Sequence, residues 1–460
     1  MSNINFEETK KNLNSVGCGM CLAKWTQVTM HLQTGFNHSC HHPSVHKIPV
    51  KEIEQNPSAL HNTRFKKYKR KEMLEGGRPS ECDYCWNIED NSNTYSDRIY
   101  KSSEPWSKPH FEQIAKSDWK VDFNPRYVEV SFSNTCNFKC SYCGPAYSSK
   151  WLQEAKEFGG YPTTPSFNSY EGLVAEDSVP ILQSEYNPYV DAFWKWWPNL
   201  YNDLNTFRIT GGEPLLSKDT WKVLDYIIEN PNPNRELKFA INSNLGVVDD
   251  LIDRLIEKLK IIIGENRVKE VILFTSVDAW GEQAEYIRNG LVFNKFWDNL
   301  NKVLYNLPSV TVTIMSTYNL MSPFSYNTLI KNVHQLKYEH QNDQRYWLHP
   351  IHLDTSYLRF PAHQSVKLLE DHHKEEIRKN SELALYLGVP VFDRKHMGMT
   401  EVETEKIKRI YDWSISESGD QKINERRNFK KFVDEHDRRR GTDFVKTFPE
   451  LEEFYRKIIV

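Results

Sequence analysis

Six strand-like segments alternate with helical ones between residues 126 and 355, and all eight cysteines lie upstream of residue 144. The first pattern predicts an α/β protein whose parallel strands form a partial (β/α)6 barrel. The second predicts a small Cys-rich N-terminal cluster domain. A charged, helix-periodic stretch beyond about residue 370 predicts a helical C-terminal tail. The expected divisions are 1–120, 121–365 with an insertion at 159–200, and 366–460.

RYVEVSFS (126–133) sets Val128, Val130 and Phe132 on one face at a period of two, so it reads as the first barrel strand. Residues 148–158 read as a helix. The insertion is rich in Pro, Tyr and Trp, and its end, YVDAFWKWWPNL, reads as a short aromatic helix. Such a segment serves as core or docking surface, or as a lid or wall over a substrate. TFRIT (206–210) is the second strand, and 217–229 is a helix with Trp221, Leu224 and Ile228 on one side. LKFAIN (237–242) is the third, and the helix after it carries Leu251, Leu255 and Leu259 at a spacing of four. EVILFTS (270–276) is the fourth, followed by a helical region at 281–305. VTVTIMS (310–316) is the fifth and YWLHPIHL (346–353) the sixth. Six units are too few for a closed eight-stranded barrel. They suit a partial barrel of the TIM type or an open doubly wound sheet, and in both the chemistry gathers at the C-terminal strand ends. The first ~100 residues read as irregular, with only KYKRKEMLEGG (67–77) as a helix ended by glycine. Metal commonly organises small segments of this kind.

The 460 residues can bury a full core without disulfide staples. Lys plus Arg number 59 against 62 Asp plus Glu, a formal net charge of -3. That balance argues against a dedicated nucleic-acid or membrane-surface binder. No apolar run approaches the roughly 18 residues of a bilayer span. MSNINFEETKKNLN lacks the apolar segment of a signal peptide, so the expected compartment is the cytoplasm. There, clustered cysteines read as metal ligands or reactive thiols rather than disulfides. The basic run HDRRRGTDF (436–444) reads as a solvated helix end, with a phosphate or partner contact as the alternative.

Cys136, Cys140 and Cys143 form a C-x3-C-x2-C loop directly after the first barrel strand. Three thiolates on one loop suit a soft metal centre. A four-iron cluster normally takes four Cys ligands, so three leave one iron free. A zinc knuckle with a distant fourth ligand is the alternative, although zinc sites usually pair their cysteines. The motif in its setting resembles the radical S-adenosylmethionine superfamily. That family carries an aromatic residue before the third cysteine, here Tyr142, and Gly-Gly-Glu-Pro after the second strand, here Gly211-Gly212-Glu213-Pro214. Asn242-Ser243-Asn244 matches its polar turn after the third strand, and Ser276-Val277-Asp278 resembles its ribose-contacting segment after the fourth. Arg288, in Tyr286-Ile287-Arg288, matches an arginine that pairs with the methionyl carboxylate. At the sixth strand His349 and Pro350 match no adenine contact.

The resemblance, over about 126–355, implies a site-open [4Fe–4S] cluster on Cys136, Cys140 and Cys143. It implies S-adenosyl-L-methionine held by the other matched residues, with Tyr142 near the adenine. The two glycines would let the backbone approach the ligand, and Glu213 would accept from its amino group. It further implies reductive cleavage to a 5′-deoxyadenosyl radical that takes a substrate hydrogen atom. A reducing partner such as flavodoxin or ferredoxin would supply the electron. No catalytic acid, base or hydrogen donor is assigned.

Cys21 through Trp25, then Cys40, then Arg78-Pro-Ser-Glu-Cys82-Asp-Tyr-Cys85-Trp86, resemble a twitch-type auxiliary cluster domain, related to the larger SPASM type. In the best-known members that domain follows the barrel; here it precedes it. A group of twitch proteins shares this placement and a run similar to Ser148-Ser149-Lys150-Trp151. The resemblance implies Cys21, Cys40, Cys82 and Cys85 as ligands of an auxiliary [4Fe–4S] cluster. Structural zinc on the same four thiolates is the alternative. Fully ligated iron would be an electron conduit, and a three-ligand version could bind substrate. Cys18 is left over, as a small buried residue, a spare ligand or a hydrogen-atom donor. His31, His38, His41, His42 and His46 crowd this segment, as surface or loop residues or with one replacing a Cys ligand. Relatives with auxiliary clusters modify ribosomally made peptides or dehydrogenate small alcohols such as aminocyclitols. The length of the chain and of the insertion favours a peptide. The opposing class is a non-catalytic, metal-stabilised binding protein.

Overall fold

The computed structural model describes residues 5–341, 350–388, 398–416 and 422–460. Nine strands form one sheet: β1 (Gln27–His31), β2 (Phe36–His38), β3 (His46–Lys47), β4 (Tyr127–Ser131), β5 (Thr206–Thr210), β6 (Lys238–Asn242), β7 (Glu270–Ser276), β8 (Thr311–Tyr318) and β9 (Ile351–Tyr357). Their spatial order is β9-β8-β7-β6-β5-β4-β1-β2-β3. Every pair from β9 to β1 is parallel, while β2 and β3 finish the edge antiparallel. Strands β4 to β9 each lie beside the next in sequence, with no reversal of direction along the sheet. That progression is a partial barrel rather than a doubly wound sheet, which reverses at a switch point.

Alternation fixes the two faces. Val128 and Val130 on β4, Phe207 and Ile209 on β5, Phe239 and Ile241 on β6, and Val271 and Leu273 on β7 are buried in one apolar core. On β4 and β5 the intervening positions carry the register partners Glu129 and Arg208. Helix α5 (Ser149–Phe158) follows the cysteine loop, and α6 (Pro188–Tyr201) fills the end of the insertion. In α6, Asn187 caps the backbone N–H groups of Tyr189 and Val190 and Pro188 takes the first helical position. Phe193, Trp197, Leu200 and Tyr201 are fully buried, and Trp197 packs 4.7 Å from Phe207, ring centre to ring centre. Each such side chain stabilises the fold by about 2–3 kcal/mol. Of the readings open to the insertion, this helix takes that of core, packed on the outside of the barrel.

All six expected barrel strands are present. The sixth starts at Ile351 and runs to Tyr357, and residues 342–349, including His349, lie outside the described residues. The expected helical region at 281–305 is split into α9 (Gly281–Ile287) and α10 (Phe293–Asn306). Between them Arg288–Asn289 leaves the helix to pair antiparallel with Lys139–Cys140 of the cysteine loop.

The expectation of an irregular N-terminal segment is corrected. It carries α1 (Phe6–Val16), α2 (Arg64–Leu74), α3 (Asp83–Asn91) and α4 (Asp97–Ser103), together with β1 to β3. β2 and β3 span three and two residues, too short for periodicity to register, and Gln27 to Met30 of β1 are all buried, which hides any alternation. The segment has its own apolar cluster, including Leu13, Met20, Trp25, Met73 and Ile99. Yet β1 pairs with β4 along five residues, so the sheet crosses the division expected near residue 120. The tail supplies α12 (Asp371–Tyr386), α13 (Glu401–Ile415) and α14 (Lys422–Arg440), following α11 (Pro323–Glu339). The basic run ending α14 is also corrected: it is no solvated end, because the Arg439 and Arg440 side chains are only 2% and 1% exposed. Among the described residues, no helix is long and apolar enough to cross a membrane.

Candidate metal centre

The Cys136–Cys143 loop leaves β4 at the C-terminal edge of the sheet, and the residues after it bind its backbone. Ser149 Oγ accepts from the Cys136 N–H at 3.1 Å, and Ser148 Oγ donates to the Phe138 carbonyl at 2.7 Å. Trp151 Nε1 donates to the Cys140 carbonyl at 2.9 Å, and Asn168 Nδ2 to that of Cys143 at 2.8 Å. Gln364 makes two bonds to Ser141, accepting from its hydroxyl and donating to its carbonyl. With so many loop groups occupied, the backbone is set before any ligand arrives. Cys136 Sγ accepts from the Phe138 N–H at 3.4 Å, and Cys140 Sγ faces Arg288 Nη1 at 3.7 Å. Donors to sulfur favour thiolate and tune an iron–sulfur site. Burial works the other way, pushing the Cys143 thiol up to about 12 and those of Cys136 and Cys140 upward as well. Loading this loop with metal must therefore release protons.

The turn after β5 differs from expectation in what it approaches. A Cβ on Gly211 would meet Ser131 Oγ at 2.6 Å, and one on Gly212 would meet the Thr135 carbonyl oxygen at 2.3 Å. Gly211 also has φ of +118°. The close approach that requires glycine is thus to the segment after β4, and the Gly212 and Glu213 N–H groups bond to Ser133 and Thr135 there. Glu213 is 1% exposed. Its carboxylate accepts from the N–H of Leu215 and Asn244 and from the Ser243 hydroxyl. Burial pushes it up to about 7 against those bonds. The expected acceptor for a ligand amino group is instead enclosed, stapling the turns after β5 and β6. Pro214 starts the short helical turn beside it, Asn244 bonds Asn137 of the cysteine loop, and Asn242 accepts from Arg208.

Tyr142, Asp278 and Arg288 are brought together, but on one another. Asp278 is fully buried and pairs with Arg288 at 2.8 Å. Its oxygens also accept from the Tyr142 hydroxyl at 2.8 Å and the Thr317 N–H at 2.7 Å. Arg288 Nη2 donates to the Tyr142 oxygen at 2.6 Å. Asp278 therefore faces a cation and a phenol, not the open space a ribose contact needs, and Arg288 meets a protein carboxylate. Ser276 ends β7 just before Asp278, in register with Met315 of β8.

Cys21, Cys40, Cys82 and Cys85 line one pocket, with His42, Trp86, Asp97 and Arg98 around them. Burial pushes Cys82 to about 11 and Cys85 to about 12. Cys18 lies outside, exposed, with its sulfur 3.8 Å from the Gly76 carbonyl. Tetrahedral zinc at ~2.3 Å from each sulfur sets its thiolates ~3.8 Å apart. Among the described residues, the one set of three or more possible ligand atoms within 4.8 Å of one another is that of Glu370, His372 and His373. Neither cysteine set is that tight, whereas a four-iron cluster, with each thiolate on a separate iron, needs the wider spacing. Both donor sets consist of thiolates, which suit an iron–sulfur cluster or zinc. His31, His38 and His46 prove half-buried strand residues rather than surface loops, and burial pushes His31 down to about 4. His42 pairs with Asp97 at 2.6 Å and stacks on Tyr84.

Trp151, Asn168, Gln364 and Arg440 hold the cysteine loop and carry no motif-level signal, apart from the Ser148–Trp151 run. No protein-family profile matches the sequence, and no curated protein matches it. Among solved structures, native anSMEcpe with bound AdoMet aligns at a TM-score of 0.32 and 16% identity, over 55% of this chain and 58% of that one. The chain thus spans less than two thirds of the length of that protein. Streptococcus suis SuiB aligns at 0.35 and 14%, over 74% and 67%, and its S-adenosylmethionine-bound form at 0.33 and 14%, over 74% and 61%. Likeness at this level is distant and says nothing of activity or substrate.

Proposed function

We propose that this chain is a radical S-adenosylmethionine enzyme with a second, fully ligated iron–sulfur site. One observation carries the reading: a fixed loop at the C-terminal edge of a parallel partial barrel offers three cysteines, two with N–H donors at their sulfurs, and bonds to the turns after the next strands. A bound cluster with S-adenosylmethionine would supply an electron and the 5′-deoxyadenosyl radical that abstracts a substrate hydrogen atom. The chain's own part is to hold that group. Cys136, Cys140 and Cys143 bind it, Arg288 lends positive charge at Cys140, and Trp151, Ser149 and Asn168 fix the loop. Cys21, Cys40, Cys82 and Cys85 would hold the auxiliary cluster, and a flavodoxin or ferredoxin would deliver electrons. The preference for a peptide rests on the length of the chain and of the insertion, whose final helix is core, so peptide and small-molecule substrates both fit. A mass change in a co-expressed candidate peptide decides between them.

Anaerobic incubation with dithionite and S-adenosylmethionine tests the reading. It predicts 5′-deoxyadenosine from the reconstituted protein and none from Cys136→Ala. Equal yields from the two overturn it.

A further inference from the structure

The end of α14 reaches the cysteine loop from 301 residues away in sequence. Arg440 donates from Nη1 to the Lys139 carbonyl at 3.0 Å, next to Cys140. Its Nε and Nη2 each lie 3.2 Å from an oxygen of Glu154, a fork on one carboxylate. Its guanidinium lies over Trp151 at 4.5 Å, the same Trp151 that donates to the Cys140 carbonyl. Glu154 also takes Lys139 Nζ at 2.5 Å, so one buried acid ties α5, the loop and α14 together. Asp437, earlier on α14, accepts from Tyr286 at 2.9 Å, two residues before Arg288. The helix end thus bonds one strand of the small ladder at Lys139 and, at Tyr286, the chain that leads into the other, Arg288–Asn289.

We propose that Arg440 is a positioning residue for the cluster loop, and that its charge favours the reduced form of the cluster bound there. The second half rests on the proposed function; the first does not. Lys139 and Arg440 together outnumber the buried carboxylate Glu154 between them, while Arg439 pairs more closely with Glu435. Loss of Arg440 leaves Glu154 facing Lys139 and lowers the local charge by one. Reduction adds negative charge to a cluster, so it becomes harder when a neighbouring cation is removed.

Hydrogen exchange on the metal-free chain and a redox titration of the reconstituted protein test the two halves separately. Arg440→Gln should speed exchange over residues 136–143 and leave the region of Cys82 and Cys85 unchanged. The midpoint potential of the Cys136-bound cluster should move to a more negative value. Arg440→Lys keeps the charge but not the fork, so it should restore the potential and leave the loop fast. If Arg440→Gln fails to fold, Arg440→Lys still has to show a fast loop at an unchanged potential. Unchanged exchange in either variant overturns the positioning role. An unchanged or raised potential in Arg440→Gln, or one lowered equally in Arg440→Lys, overturns the role of the charge. A wild-type protein that binds no cluster refutes the proposed function and leaves the exchange result standing.

Discussion

At Glu213 the fold encloses an acid with three hydrogen-bond donors. Its folded-state value, about 7, lies above the ordinary 4.5. The fold therefore favours the protonated form. That stability is present below about pH 4.5 and is lost as pH rises through about 7, an effect on the order of 3 kcal/mol. Urea unfolding of the metal-free chain across this range should show stability falling, and Glu213→Gln should remove that component of the slope. Parallel slopes for the two proteins would contradict it. Gly212 tests the neighbouring contact. A methyl there meets the Thr135 carbonyl oxygen at 2.3 Å, so Gly212→Ala should cost on the order of 1–3 kcal/mol in thermal unfolding. Motif spacing made these residues legible as a group. It could not show that Gly-Gly-Glu-Pro grips its neighbouring turns, because the sequence records positions and not which atoms they meet.

Between elements, the buried pair of Lys337 and Glu403 joins α11, α13 and β9. The two lie 2.7 Å apart at 2% and 3% exposure, and Glu403 also accepts from the N–H of Leu353 and Thr400. Lys337→Met leaves that carboxylate buried without its cation, so denaturation should report a loss of roughly 3–5 kcal/mol. A change under about 1 kcal/mol, the range of an exposed pair, would show the pair to be solvated. Barrel elements were the legible part of the sequence, since β4 to β8 and the helices between them carry clear periods. β2 and β3 were not legible, because two or three residues cannot display a repeat, and β1 was not because Gln27 to Met30 are all buried and show no alternation. Nor was the burial of Arg439 and Arg440, since a basic run looks the same whether water or Glu154 receives it.

Over the whole molecule, one sheet joins two cysteine sets, one at the β4 end and one in the N-terminal segment that carries β1 to β3. The proposed function predicts clusters at both. Reconstituted Cys136→Ala/Cys140→Ala/Cys143→Ala protein should keep about four iron and four sulfide and no zinc. One zinc and no iron would assign the second set to a structural metal. A cluster on the Cys136 loop that is open to S-adenosylmethionine has its own spectroscopic signature, read by electron paramagnetic resonance of the dithionite-reduced protein titrated with that cofactor. The expected outcome is a reduced-cluster signal that changes on cofactor addition, is lost in Cys136→Ala, and persists with its cofactor response in Cys82→Ala. A signal indifferent to S-adenosylmethionine, or one that survives unchanged in Cys136→Ala, would refute the open cluster.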